Sequence, residues 1–287
     1  MIISRIAAAS LALIFGWIAY TQNQQPSTPA PASLAVQKLK DDLYVIALSK
    51  GVGGGNIAVY VTDEGVILVD DMFDRDYTAV MEKVRLITDK PVKYVLNSHQ
   101  HDDHAGGNAK MLLANAEVIA HQNVRSNMLR LNQPGLPRVT FSDEIDVNLG
   151  GKETIVRHYG RGHTGGDSVI WFPARKVIHT GDLFLTNPTQ PFIDYANGGS
   201  ALEWTGTIDK ILQLDFDIAI PGHGPVSDRA GLTKFRADFE TMRNRITGMV
   251  RAGASKDEIS KTLTDEFHWA KGGLAVQQVD SLIAELK

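Results

Sequence analysis

"PVKYVLNSHQHDDHAGGN", Pro91 to Asn108, runs from a β-rich segment into a patch holding three histidines and two aspartates within the six residues His99 to His104. The run "PVKYVLN" reads as a strand, so the cluster sits at a strand end. His99 and His101 are two apart and point the same way from extended backbone, whereas a helical zinc pair would be spaced i, i+4. Asp103 and His104 follow at once, and a short turn can aim them at a second point close to the first. One post-strand loop can thus address two metal ions, which a merely solvated polar loop has no need to do.

Working outward, three later segments repeat the design. "YGRGHTGGDS" (Tyr159 to Ser168) places His163 just after the strand "TIVRHY". "VIHTGDLF" (Val177 to Phe184) places Asp182 just after "KVI", and "IAIPGHGP" (Ile218 to Pro225) places His223 just after "FDIAI". Each is a strand end opening into a glycine-containing loop with one ligand-type side chain. Four strand ends therefore offer ligands to one sheet edge, where an α/β enzyme keeps its site.

Elsewhere, "DLYVIAL" (Asp41 to Leu48), "IAVYVT" (Ile57 to Thr62) and "GVILVDD" (Gly65 to Asp71) predict an antiparallel meander. Between the first two, "GVGGGN" (Gly51 to Asn56) fails the dinucleotide pattern, because Asn56 replaces the third glycine and a β-run follows, so it reads as a flexible hairpin loop or flap. Helices are expected over Arg75 to Thr88 and Gly106 to Ala116, and strands at Glu117 to Gln122, Thr154 to Tyr159, Ser168 to Phe172, Lys176 to His179 and Asp217 to Ile220. From Thr233 the chain is mainly helical, with Ser255 and Glu258 forming a capping-box signature. Strands and helices mixed in both halves imply a layered α/β fold.

Composition narrows the chemistry. Of 287 residues none is cysteine, which excludes disulfides, thiolate zinc sites and a cysteine nucleophile, so any metal is held by His, Asp or Glu. With 29 basic and 33 acidic residues and no long cationic run, nucleic acid is not the expected partner; a small-molecule substrate is. At the N-terminus, Arg5 precedes an apolar stretch from Ile6 to Tyr20, and a polar, Pro-rich segment follows it. Residues 1–22 are therefore expected to be a signal peptide or membrane anchor and 23–36 a linker; a buried N-terminal helix fits poorly with that linker. The expected location is outside the cytoplasm, periplasmic or anchored to the membrane through this segment. Residues 37–287 then form the catalytic domain, with a helical C-terminal part at 228–287.

In this order and spacing, "HQHDDH", "GHTGGD", "TGDLF" and "PGHG" resemble the metallo-β-lactamase fold superfamily, from about Lys40 to Val226. The resemblance implies a four-layer αβ/βα sandwich with mixed sheets and helices on the outer faces. It further implies that His99, His101 and His163 hold one metal ion, that Asp103, His104 and His223 hold a second, and that Asp182 bridges them. Nitrogen and oxygen donors suit two divalent ions, with zinc favoured. Two such ions about 3.5 to 4 Å apart can share a water and lower its pKa to about 7, so a bridging hydroxide is the expected nucleophile. Asp103 is placed to orient it, which makes Asp103 the expected catalytic side chain.

In the subclass of the best-known zinc β-lactamases a cysteine stands where this sequence has Asp182, which argues against β-lactams as the first choice of substrate. An aspartate bridge is carried by the superfamily's thioesterases, lactonases, arylsulfatases and phosphodiesterases, so hydrolysis of an ester, thioester or lactone is expected. β-Lactam hydrolysis is the alternative, followed by a mononuclear iron persulfide dioxygenase or a non-catalytic metal-binding module. Substrate contacts are expected from "GVGGGN" and from Thr186 to Ser200, where Phe192 and Tyr195 are available for apolar contact. His179 is expected to support the site by packing, and His121, His158 and His268 to be structural.

Overall fold

Both faces of the first meander are apolar, and both are covered. A strand exposes alternate residues to opposite faces, so an unbroken apolar run needs a layer on each side. The computed structural model describes residues 33–49, 54–186, 190–270 and 278–287. The expected signal peptide or anchor (1–22), most of the expected linker, and residues 51–53 of "GVGGGN" lie outside the described residues.

The first sheet collects β1 (Leu34–Lys38), β2 (Leu43–Leu48), β3 (Ile57–Val61), β4 (Val66–Val69), then α1 (Tyr77–Ile87), β5 (Val92–Leu96), α2 (Asp102–Ala105), α3 (Asn108–Leu113), β6 (Glu117–His121), α4 (Gln122–Arg130) and β7 (Val139–Phe141). Its seven strands lie in sequence order, β1 to β4 antiparallel and β4 to β7 parallel. The second half supplies β8 (Glu144–Leu149), β9 (Lys152–Arg157), β10 (Val169–Phe172), β11 (Val177–His179), α5 (Ala201–Ile211), β12 (Ile218–Ile220) and β13 (Ser227–Asp228). These six strands form a second sheet in the order β13-β12-β11-β10-β9-β8, antiparallel except for β11 and β12. Helices α6 (Arg229–Arg251), α7 (Lys256–Asp265) and α8 (Val279–Leu286) follow.

Three apolar clusters make the four layers. Leu43, Val45, Ala58, Tyr60, Ile67 and Val69 face Val156, Ile170, Phe172 and Ile220 between the sheets. Tyr60 and Phe172 meet edge to face there, ring centroids 5.0 Å apart. The alternate residues Ile46, Val59 and Leu68 pack under Val80 and Val84 of α1 and Met111 of α3. On the far face of the second sheet, Val169, Ile178 and Ala219 lie under Trp204 and Ile208 of α5, Phe239 and Ile246 of α6, Ile259 of α7 and Leu282 of α8. Each fully buried side chain of this size contributes about 1.5 to 3 kcal/mol of transfer free energy. The fold is the expected αβ/βα sandwich with helices outside.

Several local expectations change. Strand β1 begins at Leu34, inside the stretch 23–36 expected as linker, because Leu34 pairs with Leu48 and buries its side chain. The helix expected over Gly106 to Ala116 is only Asn108 to Leu113: Gly107 N–H donates to Asp71 rather than to a helical turn, and Asn115 adopts a positive φ of 63°. The flap expected at "GVGGGN" is not free at its described end, since Gly55 N–H donates to Asp103 O (2.8 Å) and Asn56 N–H to Gly222 O (2.7 Å). The Ser255 and Glu258 capping box forms as the spacing implies.

One ion-pair cluster links the sheets at their rim. Asp42, between β1 and β2, accepts from Arg175 Nε at 2.7 Å and from Lys152. Burial pushes its carboxyl up, but the two cations outweigh this and bring it from 3.8 down to about 2. A carboxyl lowered on folding adds stability above its unfolded value, and that stability fades as pH falls through the folded value. Screening at this half-buried position reduces the pair to about 1 kcal/mol. In urea titrations Asp42→Asn should be destabilised by about that amount at pH 6 and show a smaller deficit at pH 3; a deficit that grows toward acid pH would refute the pairing.

Candidate metal centre

Strand β5 ends at Leu96, and Asn97 N–H still bonds across the sheet to Ile119 O (3.0 Å). The chain then bends through Ser98 to Gln100 to reach His101, which caps α2 with φ −64° and ψ 145°. The His99 and His101 rings meet edge to face, 4.8 Å between centroids. What reads in the sequence as a turn is the single helical turn α2: His104 N–H donates to His101 O at 2.9 Å, carrying Asp103 and His104 round to the second position. His163 comes from the loop after β9, Asp182 from a 3-10 turn at Gly181–Leu183 after β11, and His223 from the loop after β12.

All seven predicted residues converge. His99, His101 and His163 form one set whose ligand atoms lie within 4.8 Å of one another, and Asp103, His104 and His223 form another. His99, His104 and Asp182 form a third set that joins the two. The Asp182 carboxylate spans them: Oδ1 is 3.2 Å from His104 Nε2 and 3.4 Å from His223 Nε2, while Oδ2 is 3.6 Å from His163 Nε2.

Outer hydrogen bonds decide which ring nitrogens face inward. His104 Nδ1 donates to Asp70 Oδ2 (2.8 Å), His163 Nδ1 to Phe192 O (2.6 Å), and His101 Nε2 to Asp194 Oδ2 (2.8 Å). Ser98 Oγ gives its hydrogen to Asp70 Oδ2 (2.7 Å), so it accepts from His99 Nδ1 (3.0 Å). With one nitrogen of each ring protonated outward, the inward nitrogens present lone pairs to a common centre. His163 Nε2 faces His101 Nδ1 at 2.9 Å, and His104 Nε2 faces His223 Nε2 at 3.2 Å. His99 Nε2 and Asp182 Oδ1 are buried without a hydrogen-bond partner. Buried lone pairs aimed at each other and at orphaned acceptors are costly unless a cation lies among them. This donor set fits divalent metal ions, held by five inward nitrogens and by the carboxylates of Asp103 and Asp182.

The electrostatics agree. Burial pushes His99 well below its ordinary value, helped by the neighbouring His104, and brings His163 from 6.5 to about 4. Burial also opposes charge on His104 and His223, yet Asp182 and Asp103 outweigh it and raise both, His223 to about 9. Burial would raise Asp182, but His223 and His104 hold it well below the carboxylate range. The half of the site that holds the carboxylates therefore demands positive charge. Backbone makes close room for it: a Cβ on Gly55 would stand 2.2 Å from His104 Cε1, and one on Gly222 1.9 Å from Asp182 Oδ1.

Around this centre, two residues do work that sequence reading did not assign. Asp70, held at φ 62° at the end of β4, orients His104 and Ser98, and Asp194 orients His101. The "VDD" after a strand running parallel to β5 was a signal for Asp70; nothing local marks Asp194. Phe192, half-buried, stands with its ring centroid 5.7 Å from His163 and 5.9 Å from His101, as expected of a contact residue. Tyr195 does not: its hydroxyl donates to Glu285 of α8 (2.9 Å), because the loop turns that ring onto the C-terminal helices. Residues 187–189 of the same loop lie outside the described residues. His179 supports the site as expected, donating to Asn56 O (2.9 Å) and accepting from Gly181 N–H (3.2 Å). His121 and His158 stack at 4.3 Å and bond to backbone carbonyls of Ser142 and Asp167, and His268 is exposed.

Comparison with known proteins bears on both family and fold. Residues 51–223 match the family model described as the metallo-beta-lactamase superfamily. The chain is 25% identical to the metallo-beta-lactamase type 2 of Elizabethkingia meningoseptica over 210 residues, 69% of this chain and 81% of that one. It is 28% identical over 185 residues to the 2,4-dinitroanisole O-demethylase subunit alpha of Nocardioides sp. (strain JS1661), 62% of this chain, and spans only 54% of that subunit. A metallo-beta-lactamase structure from Pontibacter korlensis superimposes with a TM-score of 0.66 at 22% identity, over 72% of this chain and 99% of that one.

Proposed function

Because this chain belongs to the metallo-β-lactamase superfamily and is a metal-dependent hydrolase, we propose that residues 37–287 hydrolyse an ester, thioester or lactone with two zinc ions held by the seven converging side chains. One observation carries the reading: the Asp182 carboxylate lies between both histidine sets, 3.2 Å from His104 and 3.6 Å from His163. In this proposal His99, His101 and His163 would hold one ion and Asp103, His104 and His223 the other, with the Asp182 carboxylate available to both sets.

Bound divalent ions would supply Lewis acidity toward a substrate carbonyl and bring the pKa of water near neutrality. The protein's part is to fix and to accept. The Asp70, Ser98, Asp194 and Phe192 contacts hold the imidazoles of His99, His101, His104 and His163 each in one tautomer and one rotation, which lowers the reorganisation needed during reaction. Asp103, with a quarter of its side chain exposed, is the carboxylate that solvent and substrate reach, and it is placed to accept a hydrogen bond from the attacking oxygen and so orient it. The Phe192 ring forms an apolar wall for the acyl or leaving group. Phe192→Ala should raise KM for aryl esters several-fold and change kcat little, since it removes uniform binding; equal kinetics for both proteins would remove Phe192 from the substrate path.

β-Lactam hydrolysis is the second reading, supported by the names of several relatives. Export, with the product periplasmic or membrane-anchored, belongs to the same proposal and rests on the Arg5-led apolar stretch. The deciding experiment takes the full-length chain, measures its metal content by mass spectrometry, and follows turnover of an aryl ester, a lactone, a thioester, nitrocefin and 2,4-dinitroanisole. Two zinc ions with ester, thioester or lactone turnover, lost on chelation and restored by zinc, is the expected result. Fast nitrocefin turnover would favour the second reading, and a single iron would refute the first.

A further inference from the structure

The family match ends at residue 223, yet the helices beyond it grip the loop that orients two of the candidate ligands. Helix α8 buries Val279, Leu282 and Leu286 against the α5 to α7 layer, an i, i+3, i+7 stripe. Gln278, immediately before α8, and Glu285, in its last turn, both reach the loop 190–200. Gln278 Oε1 accepts from Ile193 N–H at 3.1 Å. The Glu285 carboxylate accepts from Tyr195 Oη (2.9 Å), Ser200 Oγ (2.5 Å) and Ala201 N–H (2.9 Å), and so satisfies the N-terminus of α5 as well. Ala270 N–H adds a bond to Gln190 Oε1 (2.9 Å).

Between those anchor points the loop turns inward. Phe192 O receives the His163 Nδ1 hydrogen and Asp194 Oδ2 the His101 Nε2 hydrogen. Asp194 N–H in turn bonds His163 O (2.9 Å), and Gly199 N–H bonds Asp194 O (2.8 Å). Thus the two rings of the first set that come from different parts of the chain receive their outer partners from one short loop. That loop is held on its outer side by α8.

We infer that Glu285 is a positioning residue for the metal centre, acting through the 190–200 loop on His101 and His163, so that the C-terminal helix sets the affinity of the first metal position. The inference rests on the proposed ligand set. A glutamine at 285 keeps the size of the side chain but offers one acceptor oxygen where three donors converge, so the loop loses part of its anchorage while α8 keeps its apolar stripe. Outer partners of this kind change metal affinity by about 10 to 100-fold when they touch a ligand directly. One step further out, the expected effect of Glu285→Gln is about 3 to 10-fold.

The test uses the full chain with zinc as the probe, in chelator competition, comparing wild type with Glu285→Gln, Asp194→Asn, the double variant, and Leu282→Ala as a control for core destabilisation. The expected result is weaker binding of one of two zinc ions in Glu285→Gln, an altered absorption spectrum of the cobalt-substituted protein, and a double-variant loss smaller than the product of the single losses. Leu282→Ala should lower Tm more than Glu285→Gln does and leave zinc affinity unchanged. Wild-type zinc affinity in Glu285→Gln, or equal affinity losses in Glu285→Gln and Leu282→Ala, would overturn the inference. Failure of the wild type itself to bind zinc would overturn it through its premise, and is told apart because no variant is then needed.

Discussion

Asp182→Ala should lower kcat/KM by about 10^3-fold or more, about 4 kcal/mol of transition-state stabilisation, and reduce bound zinc below two ions per chain. Asp182 Oδ1 stands within 3.4 Å of both His104 and His223, and Oδ2 within 3.6 Å of His163, so one deletion removes the group common to both sets. His101→Ala should have a comparable effect on turnover by emptying the first set. Folding should survive both changes, because the stabilising apolar clusters lie between and outside the sheets, away from the loops that carry these ligands. Far-UV circular dichroism and cooperative unfolding in the presence of chelator measure this separately from activity. Retained activity in both variants would sink the two-metal mechanism.

A single methyl group should do nearly as much damage at Gly222. Its Cβ would stand 1.9 Å from Asp182 Oδ1, 2.7 Å from Gly181 C and 2.8 Å from Asp182 N. The backbone cannot retreat, since Gly222 N–H bonds Gly181 O (2.8 Å) and Phe184 O (3.0 Å), and Gly222 O accepts from Asn56 N–H (2.7 Å). The carboxylate must therefore move, and a displacement of about 1 Å at reacting groups costs about 10^2-fold in rate. Overpacking adds about 1 to 3 kcal/mol of destabilisation. Gly206→Ala is the matched control: it lies inside α5, its Cβ would meet nothing within 4 Å, and it should stabilise by about 0.5 to 1 kcal/mol with activity intact. Normal zinc content and turnover in Gly222→Ala would show that the close approach to Asp182 is not needed.

Much of this site was legible because its signals are local. His99 and His101 stand two apart just past a strand, and His163, Asp182 and His223 each stand directly after a glycine a few residues past a β-rich run. The gaps are equally physical. Helix α4 buries only Val124 and Met128, too narrow a stripe to stand out, and β7 is three residues long. Tyr195 reads as a free aromatic in a Pro- and Gly-rich loop, and only the docking of α8 turns it away from the centre.

Residue types and order determined the layered architecture, the exclusion of sulfur ligands and the inventory of nitrogen and oxygen donors. Tertiary structure alone decided which donor faces which: His101 meets His163 from 62 positions away, His104 meets His223 from 119, and Asp194 reaches back 93 to hold His101. An imidazole has no intrinsic preference for the nitrogen it turns inward. That choice belongs to the outer acceptor, and the path of the loop carrying each acceptor is set by packing of distant segments rather than by any local propensity.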